Sequence, residues 1–514
     1  MRTRKSLRNV VVTLLLQALT ILVTFFTRQY FIRNLGADYL GLNGVFSNVL
    51  SILAMSEMGF ATAFLVVLFR PIAEKDEARI RALMGYFRRL YNRVGLFIFF
   101  AGLAVIPAFP LFVHSPIPGR DVTVYYMLYL AAMSATYFFS YNKTLLVAYQ
   151  DKYLTAVIAY LVYIFLNALQ VTLLILYHNY YLYLTALLLC NLLEGVVVTL
   201  VTRKKHPYMK AQARETVDGE TKKSISKSVR ALFLHGLGGA AVSGTDNIII
   251  AAFVSVVAVG FYSNYNLVLI ALSTIIGQAF AALTASVGDL SVTDNQKRMY
   301  EVYGIGLYLN ALVVITATVI LYFVIDDFVA LWAGASYVLD RATVVVILVC
   351  FLLNGMRRIT MSFRDSQGLF WHDRYKPLVE AAVNLVLSVV LAIRFGIVGV
   401  FLGTLGSLLV TSFWVEPYIL YKHGFHRPFV DYFKRYLLYL ALGALAFIPL
   451  VFLDEALGPG GTYLVIIGKS ALYGTITAAI FVLGTIRSDA FAGLQKIVRG
   501  FVASRLQKGQ GGVS

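Results

Sequence analysis

Apolar stretches close to the ~20 residues that a membrane-crossing helix requires recur almost without pause along this 514-residue chain. Fourteen of them can be marked, at about 9–32, 41–68, 94–114, 122–146, 153–177, 181–202, 231–253, 256–288, 301–325, 342–363, 377–394, 397–421, 433–453 and 463–486. In a solvent that cannot hydrogen-bond, every backbone N–H and C=O must be satisfied within the segment or by a closed barrel. The runs are continuous, not the ~10-residue alternating segments of a barrel, so the fold class is an all-α polytopic membrane protein. Composition agrees: 59% hydrophobic and 14% charged residues, with a mean hydropathy of +0.76, cannot cover a soluble protein of this size.

A formal net charge of +18 would suit a nucleic-acid partner, but the placement of the charge argues against one. Lys and Arg cluster in every second loop, the asymmetry expected of a chain whose cytoplasmic loops are basic. With Arg2, Arg4, Lys5 and Arg8 in the cytoplasm, all but six of the 44 basic residues fall inside. Arg33, Arg120, Arg341 and Arg394 lie in the opposite loops; Arg28 and Lys469 lie within spans. Both termini are then cytoplasmic. The first span has no small-residue cleavage site and is expected to be retained.

The longest polar passage, Arg203 to Arg230, divides the chain. The expected organisation is an N-terminal lobe at 1–202, a basic connector at 203–230, a C-terminal lobe at 231–422, a helix pair at 423–487 and an amphipathic basic tail at 488–514. Six spans per lobe make a parallel repeat, the two halves entering the membrane from the same side. A shift of 219 residues superposes Gly41, Phe46, Val49, Leu50, Leu53 and Ala63 on Gly260, Tyr265, Val268, Leu269, Leu272 and Ala282. Two cytoplasmic pieces are amphipathic: Ile80, Leu83, Met84, Phe87, Leu90 and Tyr91, and Phe491, Leu494, Val498, Phe501 and Val502, each interleaved with basic residues. Both read as helices lying on anionic membrane lipids.

Charges inside spans carry the functional signal, since each costs at least ~2.5–3.5 kcal/mol unless paired or wetted. Arg28 falls in the outer third of the first span, Glu57 near the middle of the second, and Asp246 with Asn247 in the outer half of the seventh; Glu194 and Lys469 are further cases. The 219-residue shift sets Arg28 on Asn247, so both lobes are expected to line one polar cavity. There Arg28 would meet an anionic substrate, and Glu57 and Asp246 are the candidates for binding a coupling cation, H+ or Na+. The bland alternatives are snorkelling for Arg28 and structural pairing for the others. Arg357, Arg358, Arg364 and Arg374 at the cytoplasmic end of the tenth span could receive phosphate groups, or be an ordinary basic loop.

No cofactor or catalytic apparatus is expected. Gly236, Gly238, Gly239 and Gly244 have no strand before them and no Lys-Ser/Thr after, so they read as helix-packing positions, not a phosphate loop. His235 reads as a packed polar group, and Cys190 and Cys350 as apolar packers. No metal-ligand spacing, nucleophile elbow or catalytic triad occurs, so the chain is not expected to be an enzyme.

Several passages resemble the polysaccharide-exporter branch of the multidrug/oligosaccharidyl-lipid/polysaccharide exporter superfamily, the Wzx-type flippases. One runs from Asn34 through Gly36, Tyr39, Gly41 and Gly44 to Ser56, Glu57, Met58 and Gly59. Another joins Thr245, Asp246 and Asn247 to Gly260, Phe261, Tyr262, Asn264 and Gly277. A third includes Arg364, Asp373, Arg374, Tyr375, Glu380 and Asn384, and closes at Gly396, Gly399 and Gly403.

The resemblance implies two pseudo-symmetric six-helix bundles in a V, as in MATE and MurJ proteins, with two further C-terminal helices and alternating access. It implies a polyprenyl-pyrophosphate-linked oligosaccharide as substrate, moved from the inner to the outer leaflet of the bacterial cytoplasmic membrane by a monomer serving the enzymes of polysaccharide biosynthesis. Relatives that flip the peptidoglycan precursor carry several cavity arginines, whereas the second and eighth spans here have no basic residue. That favours a capsule, O-antigen or teichoic-type unit. A cation-coupled multidrug exporter of the same fold is the alternative. A membrane polymerase or ligase would need a substantial outer loop, and the outer loops here are short.

Overall fold

The structure is a computed structural model and describes residues 2–54, 60–210, 216–223, 225–227, 229, 245–291, 296–496 and 499. Every regular element among the described residues is helical. Eleven of these helical segments are long and apolar enough to cross a membrane, and each falls on one of the expected third to sixth and eighth to fourteenth spans. The first expected span lies within α1, Arg2–Leu35. The second lies on α2, Ala37–Ala54, and α3, Phe60–Ala73, and includes residues 55–59, outside the described residues. Of the seventh, only 245–253 is described, and it carries α8, Asp246–Phe253. His235 and the four seventh-span glycines are outside the described residues.

The chain divides into two compact units, Met1–Ser263 with Ser388–Val400, and Asn264–Leu387 with Phe401–Ser514. In the first unit α4 (Glu77–Val105), α5 (Gly119–Ala148), α6 (Lys152–Tyr177) and α7 (Tyr180–Lys205) join α1 to α3. Helix α5 packs on α3, α4 and α7, while α1 packs on α6. The amphipathic stretch 80–91 does not stand apart as a surface helix. It forms the first turns of α4, and Ile80, Leu83, Met84, Phe87 and Tyr91 are at most 1% exposed. The Phe64 ring of α3 stacks on Phe87 at 3.8 Å. A 3.6-residue apolar period tells that a face is covered, but not whether protein or lipid covers it. In the tail, residues 489–496 are helical, and Val498, Phe501, Val502 and Arg505 are outside the described residues.

The start of α9, Val256–Ser291, completes the first unit by crossing α2. A Cβ on Gly41 would lie 1.8 Å from the Val256 carbonyl oxygen, and one on Gly260 would lie 2.4 Å from that of Ala37. Only glycine allows backbones this close. The numbers carry a symmetry: 37 and 41 become 256 and 260 on adding 219, so each glycine meets the counterpart of the other's partner. The polar contacts repeat it. Arg28 Nη1 donates to Ser263 Oγ at 3.4 Å, and Asn247 Nδ2 donates to the Gly44 carbonyl at 3.5 Å; 28 and 44 plus 219 are 247 and 263. Reciprocal contacts of this kind are the signature of a two-fold axis, here an approximate one relating α1–α2 to α8–α9.

In the second unit α10, Gln296–Trp332, is the hub, packed against α11 (Arg341–Met356), α12 (Arg358–Ser366), α16 (Val430–Leu457) and α17 (Tyr463–Thr485). It outruns the expected 301–325 because its last turns are held by polar partners. Asp326 accepts from Tyr265 at 2.8 Å and from Arg341 at 2.7 Å, and Asp327 from the Gly460 N–H at 2.6 Å. The tenth expected span is met by Arg341–Ser366, which turns at Arg357 between α11 and α12. Helix α13, Lys376–Phe395, is followed by α14, Ile397–Val410, and α15, Ser412–Ile419, which lie in the single twelfth span Ile397–Phe425. Pro417 within α15 removes a backbone donor, and the helix widens to π-type over Leu420–Phe425.

Candidate functional site

Thr24, Thr27, Arg28 and Phe31 recur at helical spacing along α1 and so share one face. They line a cavity of about 230 Å³ in the first unit, completed by α2, α5, α6 and α7. Tyr129, Tyr163 and Tyr183 contribute rings and hydroxyls, and Asn43, Asn167 and Gln170 contribute amides. The Thr24 hydroxyl donates to the Thr20 carbonyl at 2.8 Å, so in its 2.5 Å contact with Tyr163 the phenol is the donor. Asn167 donates to the Tyr163 carbonyl at 2.7 Å and Gln170 to that of Tyr183 at 3.2 Å. The buried Thr27 hydroxyl has no hydrogen-bond partner among the described residues.

Among the described residues Arg28 is the one charged group lining this cavity, and it is half-buried. It forms no ion pair among the described residues; its hydrogen bond to Ser263 is long, at 3.4 Å. Such a guanidinium, with five donors and no facing carboxylate among the described residues, can hold an anion. Asn247, buried, sits on the same helix crossing but does not line the cavity; Asp246, half-buried, opens α8 beside it. Glu57 is outside the described residues.

The four arginines at and beyond the end of the tenth span lie in the second unit and are not alike. Arg357 grips Glu416 with two nitrogens, Nε at 2.9 Å and Nη2, and reaches Ser412 at 2.9 Å and Glu380 at 3.6 Å. Lys376 binds Glu416 and Ser412, and stands 3.4 Å from Glu380. Arg364 is held by Asp373 and by Asp365 at 2.7 Å. Ser412 joins the set, donating to Glu380 at 2.7 Å while accepting from Arg357 and Lys376. Glu416 has no exposed surface at all. Arg374 is exposed and lies over Trp371 and Tyr375, and half-buried Arg358 leaves its Nε without a hydrogen-bond partner among the described residues.

The two remaining span charges are paired. Glu194 meets Lys143 at 2.6 Å; Lys469 meets Asp454 at 2.7 Å and the Gly458 carbonyl. Sequence reasoning passed over Glu416, although a carboxylate within an expected span was the signal sought. It also passed over Asn167 and Gln170, polar positions one turn apart in an apolar segment.

Against solved structures, the chain is similar to a lipid II flippase, MurJ, in an inward closed conformation (TM-score 0.64, 14% identity, covering 91% of this chain and 100% of that one). It is also similar to an inward-facing multidrug resistance MATE family transporter of the MOP superfamily (TM-score 0.59, 17% identity, 79% and 96% covered). A Vibrio cholerae MATE transporter, VcmN, in a mutant form, gives 0.55 at 13% identity, covering 82% and 98%. The fold is that of the MATE and MurJ transporters. No family model and no curated protein matches the sequence. Within the MATE–MurJ fold, the chain is a multi-pass helical membrane protein.

Proposed function

We propose that the chain is a flippase that carries polyprenyl-pyrophosphate-linked oligosaccharide from the inner to the outer leaflet of a bacterial cytoplasmic membrane by alternating access. A sugar-phosphate headgroup cannot cross hydrocarbon, so a polar passage must be offered while the lipid tail stays in the membrane. The observation that carries the reading is Arg28: a half-buried cation without a carboxylate partner among the described residues, lining a cavity of hydroxyls, amides and tyrosine rings. In this scheme Arg28 and Asn247 serve the substrate path, and Glu57 and Asp246 take a coupling H+ or Na+. Arg358 and Arg374, which form no ion pair among the described residues, are the better candidates at the cytoplasmic mouth than Arg357 and Arg364. The lobes at 1–202 and 231–422, the connector at 203–230, the helix pair at 423–487, the tail at 488–514 and cytoplasmic termini belong to the same reading, as does a monomer on an anionic leaflet among polysaccharide-building enzymes.

A cation-coupled drug exporter is the second reading, favoured by the MATE likeness and opposed by the charge of Arg28, which would repel a cationic drug. Deleting the gene separates them. Lipid-linked oligosaccharide accumulates if the chain is the flippase, and Arg28→Ala fails to clear it. Unchanged lipid-linked pools with altered dye efflux would overturn the flippase in favour of the exporter.

A further inference from the structure

The two halves of the α1–α2/α8–α9 crossing are equivalent in geometry and unequal in chemistry. The glycine contacts match in kind, each a backbone approach to a carbonyl. The side-chain contacts do not. Asn247 donates to the Gly44 main-chain oxygen at 3.5 Å, no shorter than the Arg28 bond, but to a partner that cannot rotate away. Arg28, at the equivalent position, donates to Ser263 Oγ, a rotatable hydroxyl that already spends its proton on the Gly260 carbonyl at 2.8 Å. Arg28 also borders an open cavity, and Asn247 does not.

Resting on the reading of Arg28 as an anion ligand, we infer that this crossing is an unequal clasp, in which an anion entering the cavity draws Arg28 off Ser263. Of the two reciprocal polar contacts, the one through Asn247 then remains. Charge-assisted hydrogen bonds to phosphate run at about 2.7–2.9 Å and are roughly twice as strong as neutral ones, so a phosphate oxygen displaces a serine hydroxyl held at 3.4 Å. Ser263 and Asn247 are positioning residues in this account: neither touches the anion, and both set how readily Arg28 is released. The shared chemistry is a phosphate or pyrophosphate group.

Coupling of this sort is reciprocal. If binding the anion loosens the clasp, loosening the clasp must tighten the anion, and that gives a test by sign. The full-length protein in detergent is titrated calorimetrically with inorganic pyrophosphate at fixed chloride. Ser263→Ala and Asn247→Ala are both expected to tighten binding, by about fivefold or more, and Arg28→Gln to abolish it. Should Asn247→Ala not fold, Asn247→Leu keeps the volume and removes the donor.

Tightening in Ser263→Ala without any in Asn247→Ala would mean local competition only, and would overturn the clasp. Weaker binding in Ser263→Ala would make the serine a direct ligand and overturn it equally; so would unchanged affinity in both. Absence of pyrophosphate binding in the native protein and in both variants would instead remove Arg28 as an anion ligand, and with it the proposed function of this cavity. Hydrogen exchange gives a second readout: amides in 37–44 and 256–263 should exchange faster on adding pyrophosphate, and show no response in Arg28→Gln.

Discussion

Arg28 in the first unit and Arg357 in the second are both guanidiniums set into expected membrane spans, and they have been given opposite surroundings. Arg357 faces Glu416 and Glu380, shares Ser412 with Lys376, and forms part of a nearly dry network in which each charge has an opposite. Arg28 faces hydroxyls, amides and open volume. The first arrangement suits a group that must never move; removing one member strands the rest. The second leaves the guanidinium without an ion pair among the described residues. A buried cation is therefore no guide to ligand binding by itself, and the partners around it decide.

Four substitutions test that contrast through thermal unfolding in detergent, with effects on stability in descending order. Glu416→Gln leaves Arg357 and Lys376 to share the carboxylate of Glu380 and should cost about 3–5 kcal/mol. A melting temperature unchanged from the native protein would show the network to be dispensable. Lys469→Met abandons Asp454 and the Gly458 carbonyl; with Asp454 still 30% exposed, the loss should be about 1–3 kcal/mol. Glu194→Gln breaks an ion pair whose lysine is 38% exposed, and solvent screening limits the cost to about 0.2–1 kcal/mol. Arg28→Ala should lie at the bottom of the scale, within about 0.5 kcal/mol of the native protein, while flipping of lipid-linked oligosaccharide is lost altogether. A large destabilisation by Arg28→Ala would erase the distinction between the two regions.

The helical spans were legible because their governing signal is local: apolar length follows from the bilayer and needs no knowledge of neighbours. What could not be read was neutralisation. Arg357 and Glu416 lie 59 residues apart, and Lys143 and Glu194 lie 51 apart; no spacing rule joins them. From the chain alone Arg357 and Arg28 look equally available. The face of Ile80, Leu83 and Phe87 shows the same limit, since its period was correct and its covering, by α3 rather than lipid, was not legible. The 219-residue repeat stands between these cases: weak as a match of apolar letters, it became compelling once Gly41 and Gly260 were found on each other's counterpart carbonyls.

That crossing has the layout of a homodimer interface, yet it is written twice in one gene. In a true dimer every substitution lands on both sides of the axis at once, so a bolt cannot become a receptor without its mate changing too. Here codon 28 and codon 247 vary independently. One copy can hold an arginine at the edge of a cavity while the other keeps an asparagine donating to main chain, a division that identical subunits could not encode.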